Sequence, residues 1–544
     1  MKLVFILLLL LSFVFSYSQT PVVPPEKPKL VIGIIVSEMR YDYLERYWNK
    51  FSDGGFRRLM NGGTVCRNAY HDYLIAESSA GFATIATGAY PSEHGIVSDF
   101  WYDRLRNSIQ YSIEDASVET IGGRFESGKF SPHLLNYSTL SDELKLSGKL
   151  RSKVISVSLD PVASVISGGH TSDASYWYDT ETGNWITSSY YVDSIAPWVS
   201  NFNEKRLADI YLAKKWVTLL PLSDYTESLD DENPYETGLK GTRVFPYDLS
   251  IMAKKSKKEF DYSMLRQVPF GNTYTMDFAI SAIVEEDLGE DEITDWLHID
   301  FAAGGYLGNQ YSSWSVEMED LYLRLDRDLE HFLNFVDSQI GLKNVLIYFS
   351  AENAKAHEPS YLMDQRIPSG YFNYNAALSL LKSYLNVIYG KGEWIKFYYA
   401  KQIFLDRNLI EDSKLSIPEF QDRVARFMVQ FEGISNVLTS DNLMKNNYTT
   451  GVFEKIQKTY NQKRSGDVIL HLTPGWTEKV GDREMSSSYH FDTHVPLVIY
   501  GWKIGREEIS RELSVIDLMP SIAYLLNLSK PISMQGKIIP ELAN

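Results

Sequence analysis

Cysteine is nearly missing from this 544-residue chain. Cys66 is the only one, so no internal disulfide can form, and no cysteine follows the apolar N-terminal run to serve as a lipoprotein acylation site. Positive charge is scarce as well. The 53 Lys and Arg face 70 Asp and Glu, and the one short basic stretch, Lys254-Lys255-Ser256-Lys257-Lys258, has the character of a solvated helix face. A net charge of −17 excludes nucleic acid as a partner, since a phosphate backbone is held by a positive surface. No apolar run beyond Phe15 approaches the roughly 20 residues of a membrane span, so the mature chain is expected to have no transmembrane segment.

The N-terminus has the three parts of an export signal. Lys2 supplies the positive start, Leu3 to Phe15 the apolar run, and Ser16-Tyr17-Ser18 the small residues before a cut that leaves Gln19 at the front. Residues 1–18 are therefore expected to be removed, and the protein to be exported to the periplasm or secreted. Residues 19–29 form a stiff Pro-rich leader, with Pro21, Pro24, Pro25 and Pro28.

Five short apolar runs punctuate the rest: Val31 to Val36, Val154 to Ser158, Trp296 to Ala302, Val345 to Phe349 and Pro496 to Tyr500. Continuous runs of this kind suit strands buried on both faces of a parallel sheet. Helical periodicity lies between them, as in Val316 to Phe335, where Met318, Leu321, Leu325, Leu329 and Phe332 fall on one face. Strands alternating with helices predict an α/β fold, a doubly wound and mainly parallel sheet sandwiched by helices. The site of such a sheet lies past the carboxyl ends of its strands, which points to Ser37, Asp160, Gly305 and Glu352. The core is expected in three parts, residues 30–165, 291–356 and 471–544. Between them lie an inserted capping subdomain at 166–290 and a second insertion at 357–470. In the first insertion the aromatic words Tyr176-Trp177-Tyr178, Trp185 and Tyr190-Tyr191 either pack the interior of a subdomain or offer a stacking surface for a glycan or protein partner.

Four phrases carry a resemblance. They are Leu30 to Leu44; Ser78-Ser79-Ala80-Gly81-Phe82-Ala83-Thr84 with Tyr90-Pro91-Ser92-Glu93-His94-Gly95-Ile96; Phe491-Asp492-Thr493-His494-Val495-Pro496; and Val515-Ile516-Asp517-Leu518-Met519-Pro520-Ser521. Together they resemble the alkaline phosphatase superfamily, most closely its secreted bacterial phosphate-irrepressible phosphatases and the nucleotide pyrophosphatase/phosphodiesterases. The resemblance implies two zinc ions held by Asp and His around a Ser or Thr nucleophile, because zinc takes about four nitrogen, sulfur or oxygen donors and a metal pair clamps an in-line displacement.

At the positions where that family carries its ligands, this sequence has Ser37, Gly305, Asn309, Glu352, Asn353 and Met485. Glu38 adjoins Ser37, but in an extended continuation of the strand it would point to the opposite side. The nucleophile position falls on Ser78, which also suits a helix N-cap for a segment running to Thr87. The substrate-pocket positions fall on Asp99 and Asp160. Each carboxylate 4 Å from a phosphate charge costs about 1 kcal/mol in bulk water and about 4 kcal/mol at an effective dielectric of 20. The expectation is an exported alkaline phosphatase family protein that has lost the two-zinc site and serves as a binding or scaffolding module. The alternative is an active phosphomonoesterase or phosphodiesterase-type hydrolase with an altered site. In that case Mg²⁺ or Ca²⁺ would be held by the oxygens of Glu38, Glu77, Asp99, Asp160 and Glu352.

Overall fold

A computed structural model describes residues 25–74, 77–255, 260–302, 304, 310–480, 483–485 and 490–543, with side chains over the same stretches except at 125, 479, 480, 483–485 and 490. The export signal, Gly305 and Asn309 lie outside the described residues, and so does the Met485 side chain.

Ten strands build the main sheet: β1 (Leu30–Val36), β2 (Thr64–Tyr70), β3 (Thr120–Ile121), β4 (Val154–Ser158), β5 (Ala174–Tyr178), β6 (Trp185–Ser188), β7 (Asp295–Phe301), β8 (Val345–Ser350), β9 (His494–Gly501) and β10 (Glu507–Ser514). Their spatial order is β10-β2-β9-β8-β1-β7-β4-β5-β6-β3. The central five, β8-β1-β7-β4-β5, are all parallel, whereas β9 runs antiparallel to both β8 and β2. Strands β1, β4, β7 and β8 are buried at every residue, the environment that their unbroken apolar runs require. Gly33 sits mid-strand in β1 because its neighbour on β8 is Tyr348; a Cβ there would lie 2.1 Å from the Tyr348 hydroxyl oxygen. Helices cover the sheet, among them α1 (Ser78–Thr87), α2 (Pro161–Gly168), α3 (Phe270–Glu285) and α4 (Val316–Gln339). The last begins at Ser315, whose side chain accepts from the Met318 amide as an N-cap.

Two features of residues 166–290 bear on how this stretch is read. The main sheet continues through β5 and β6, so this stretch is not wholly an insertion. The aromatic words are core, not a stacking surface: Tyr176, Trp177, Tyr178 and Trp185 are each at most 1% exposed, and Trp185 stacks on Phe278 of α3 at 4.3 Å. Tyr190 and Tyr191 are partly buried against each other, with the Tyr190 hydroxyl donating to the His170 carbonyl. An aromatic strand beside a helix gains far more by burying its rings than by holding them in water.

Farther along, Ile395–Tyr399, Gln402–Leu405, Val468–Leu472 and Ile434–Thr439 form a separate four-stranded antiparallel sheet in that order. Helices α5 (Tyr374–Tyr389) and α6 (Ile417–Met428) accompany it, and Leu381, Leu385, Trp394, Ile403, Phe420, Val424 and Leu470 give it a core of its own.

Candidate functional site at the carboxyl edge of the sheet

Strand β1 ends at Val36, and the chain then turns sharply. Glu38 adopts a left-handed backbone with φ of 57°, so the chain leaves the extended path on which Glu38 was expected to point away. It is 9% exposed, and its amide donates to Glu352 Oε2 at 3.1 Å. Ser37 is occupied as well. Its hydroxyl donates to Asp300 Oδ1 at 3.0 Å, while Ser158, at the end of β4, donates to Asp300 Oδ2 at 2.7 Å. One buried carboxyl thus ties together the ends of three adjacent parallel strands.

Asp300 is fully buried, and burial pushes its carboxyl up to about 7; the Asp160 charge adds to this, and the two serine hydrogen bonds oppose it. Glu352 is 1% exposed and is pushed well above the ordinary range, first by burial and then by the charges of Asp300 and Glu38. Asn353 beside it is buried. Asp300 escaped sequence reasoning. Its only signal was a carboxylate in the middle of an apolar strand, where a charge costs several kcal/mol unless it is paired or protonated.

Helix α1 starts at Ser78, and Glu77 occupies the N-cap, so the cap lies one residue earlier than the sequence pattern placed it. Ser78 is partly exposed at the start of the helix. Ser79, directly behind it, is fully buried and donates to Asp99 Oδ1 from its amide at 3.0 Å and from its hydroxyl at 2.7 Å. Asp99 therefore sits on the first turn of α1, where a helix N-terminus favours negative charge. Asp160 does the same for α2, accepting from the Val162 amide at 2.9 Å as its N-cap. Both aspartates at the substrate-pocket positions serve helix ends. Arg40, two residues past Glu38, is committed too: it donates to Asp42 at 2.6 Å and to the Lys355 carbonyl at 2.8 Å, and lies 2.9 Å from His357 Nε2.

This edge-of-sheet site, on this topology, has known counterparts. The profile of the type I phosphodiesterase / nucleotide pyrophosphatase family matches residues 31–494. The chain belongs to this family. A protein of Myroides odoratus named calcium-transporting ATPase is 35% identical over 97% of both chains. Alkaline phosphatase PafA of Elizabethkingia meningoseptica is 34% identical over 98% of this chain and 97% of its own. The crystal structure of wild-type PafA superposes with a TM-score of 0.89, covering 95% of this chain and 99% of that one. The type I phosphodiesterase family member described here is thus an alkaline phosphatase superfamily protein in sequence and in fold.

The donor set does not fit the zinc pair that this superfamily implies. The Ser37 hydroxyl is spent as a donor to Asp300, and Glu352 is buried where protonation is favoured. Gly305 has no side chain to offer, and the amides of Asn309 and Asn353 and the thioether of Met485 are poor substitutes for carboxylate and imidazole. Among the described residues no group of three or more His, Cys, Asp and Glu side chains is arranged to hold a metal ion.

Proposed function

We propose that this chain is an exported protein that retains the phosphatase fold without its two-zinc chemistry and serves as a binding or scaffolding module. The observation behind this reading is the Ser37–Asp300–Ser158 network. At the first ligand position the family's carboxylate is replaced by a hydroxyl, and that hydroxyl is turned inward to satisfy a buried acid. A zinc ion there would meet a neutral hydroxyl, a far weaker ligand than the carboxylate it replaces.

The test is direct. Mature protein is equilibrated with excess zinc, magnesium or calcium, desalted and weighed for metal by mass spectrometry. It is then assayed on nitrophenyl phosphate mono- and diesters beside Ser78→Ala. The expected result is no stoichiometric metal and no turnover above the variant. Two zinc ions per chain, with hydrolysis abolished by Ser78→Ala, would refute the reading; magnesium- or calcium-dependent hydrolysis would favour the altered-site hydrolase. N-terminal sequencing of the exported protein is expected to begin at Gln19.

A further inference from the structure

Residues 229–248 of the first inserted region lie against the start of α4, and two buried carboxyl groups line that seam. Glu317, on the first turn of α4, is fully buried, and Glu236 is 5% exposed. One oxygen of each is held from across the seam or beside it. The Tyr247 hydroxyl donates to Glu317 Oε1, and the Ser312 amide donates to Glu236 Oε2 at 3.1 Å. The remaining oxygens, Glu236 Oε1 and Glu317 Oε2, are buried with no hydrogen-bond partner. Two buried acceptors whose charges act on each other repel unless one of them carries a proton.

We propose that Glu236 and Glu317 form a proton-operated latch that fastens residues 229–238 to the segment entering α4. The same seam is stitched by backbone hydrogen bonds, from Leu229 N to the Trp314 carbonyl at 2.8 Å and from Gly238 N to the Gln310 carbonyl at 2.9 Å. Gln310 directly follows the sequence that contains Gly305 and Asn309, so the latch ties the inserted region to the exit of the family's ligand loop.

The surroundings favour the protonated form. Glu358, fully buried on the other side of Ser312, accepts from the Ser313 amide at 2.9 Å and from the Ser312 and Ser313 hydroxyls. Its charge acts on Glu236, as Asp231 acts on Glu317, and the buried Tyr311 ring adds no cation. The positive charge of Lys355 opposes this at Glu236. Burial comes first and mutual repulsion second in holding Glu236 above the ordinary carboxylate range; Glu317 is raised chiefly by burial. An acid whose folded pKa is raised stabilises the closed form below that pKa and loses the contribution as pH rises through it. The latch is therefore closed at neutral pH and opens on the alkaline side.

Hydrogen exchange of the full chain, normalised to unstructured peptides, tests this between about pH 6 and about pH 10. In the wild type, peptides spanning 229–247 and 310–317 are expected to lose protection about tenfold or more as pH rises, while the sheet core holds. Glu236→Gln keeps a donor toward Glu317 that cannot ionise, and it is expected to remove that loss. Glu317→Gln is expected to do the same and serves if the first variant fails to fold. Equal loss in wild type and variants would overturn the proposal, as would undiminished protection in the wild type. So would rescue of the alkaline wild type by millimolar Ca²⁺, because a cation rather than a proton would then bridge the pair.

Discussion

Asp300 shows how one residue can change the chemistry of a whole strand edge. Its neighbours Ser37 and Ser158 give it two hydrogen bonds, but burial still raises its carboxyl to about 7. The native state therefore holds this proton more tightly than the unfolded chain does. Stability from this group is full below about pH 4 and is lost as pH climbs through about 7, a swing of about 4 kcal/mol for three pKa units. Asp300→Asn is expected to be free of that slope. Urea unfolding at about pH 5 and about pH 8 should find the wild type losing about 2–3 kcal/mol relative to the variant. Parallel losses in the two proteins would mean that Asp300 is ionised in the native state.

At the scale of elements, α1 is held by close contact rather than by its own propensities. Gly81 in its first turns lies against the backbone of the segment after β8, and a Cβ there would sit 2.2 Å from the Glu352 carbonyl oxygen. An exposed helical glycine replaced by alanine would gain about 1 kcal/mol. Here Gly81→Ala is expected to cost about 1–3 kcal/mol instead, because neither backbone can retreat from a packed core. A denaturant midpoint that rises in the variant would disprove the contact. On the opposite flank, Trp185 is fully buried between Phe278 and Tyr274, and Trp185→Ala is expected to cost about 3–5 kcal/mol.

For the molecule as a whole, the second insertion is joined to the core through Asp467, which is fully buried. It accepts from Arg104, just past the strand Phe100–Asp103, at 3.1 Å, and from Arg407 of the insertion at 2.6 Å. It also accepts from the Leu405 amide at 2.8 Å and from Gln421 at 3.2 Å. Removing it with Asp467→Ala takes the shared acceptor from the part-buried Arg104 and Arg407 and leaves the buried Leu405 amide unpaired, a loss of about 1–3 kcal/mol. Because the insertion has its own hydrophobic core, urea unfolding of the variant is expected to separate into two transitions. A single transition at an unchanged midpoint would show that the two parts do not depend on this tie.

Much of the architecture was legible in the sequence wherever burial is two-sided and local. Val31 to Val36 could only be an interior strand, and the apolar stripe of α4 behind Ser315 could only be a covering helix. The substitutions at the ligand positions were equally plain, since they are residue identities and need no fold. Tertiary structure alone decided the rest. It turned the backbone at Glu38 left-handed, with its charge acting on Glu352, and it sank Tyr176, Trp177, Tyr178 and Trp185 into the core. It also brought Ser37, Ser158 and Asp300 together, and Glu236 against Glu317. Those groups lie far apart in the chain, and their protonation depends on how much water the fold removes, which no local pattern encodes.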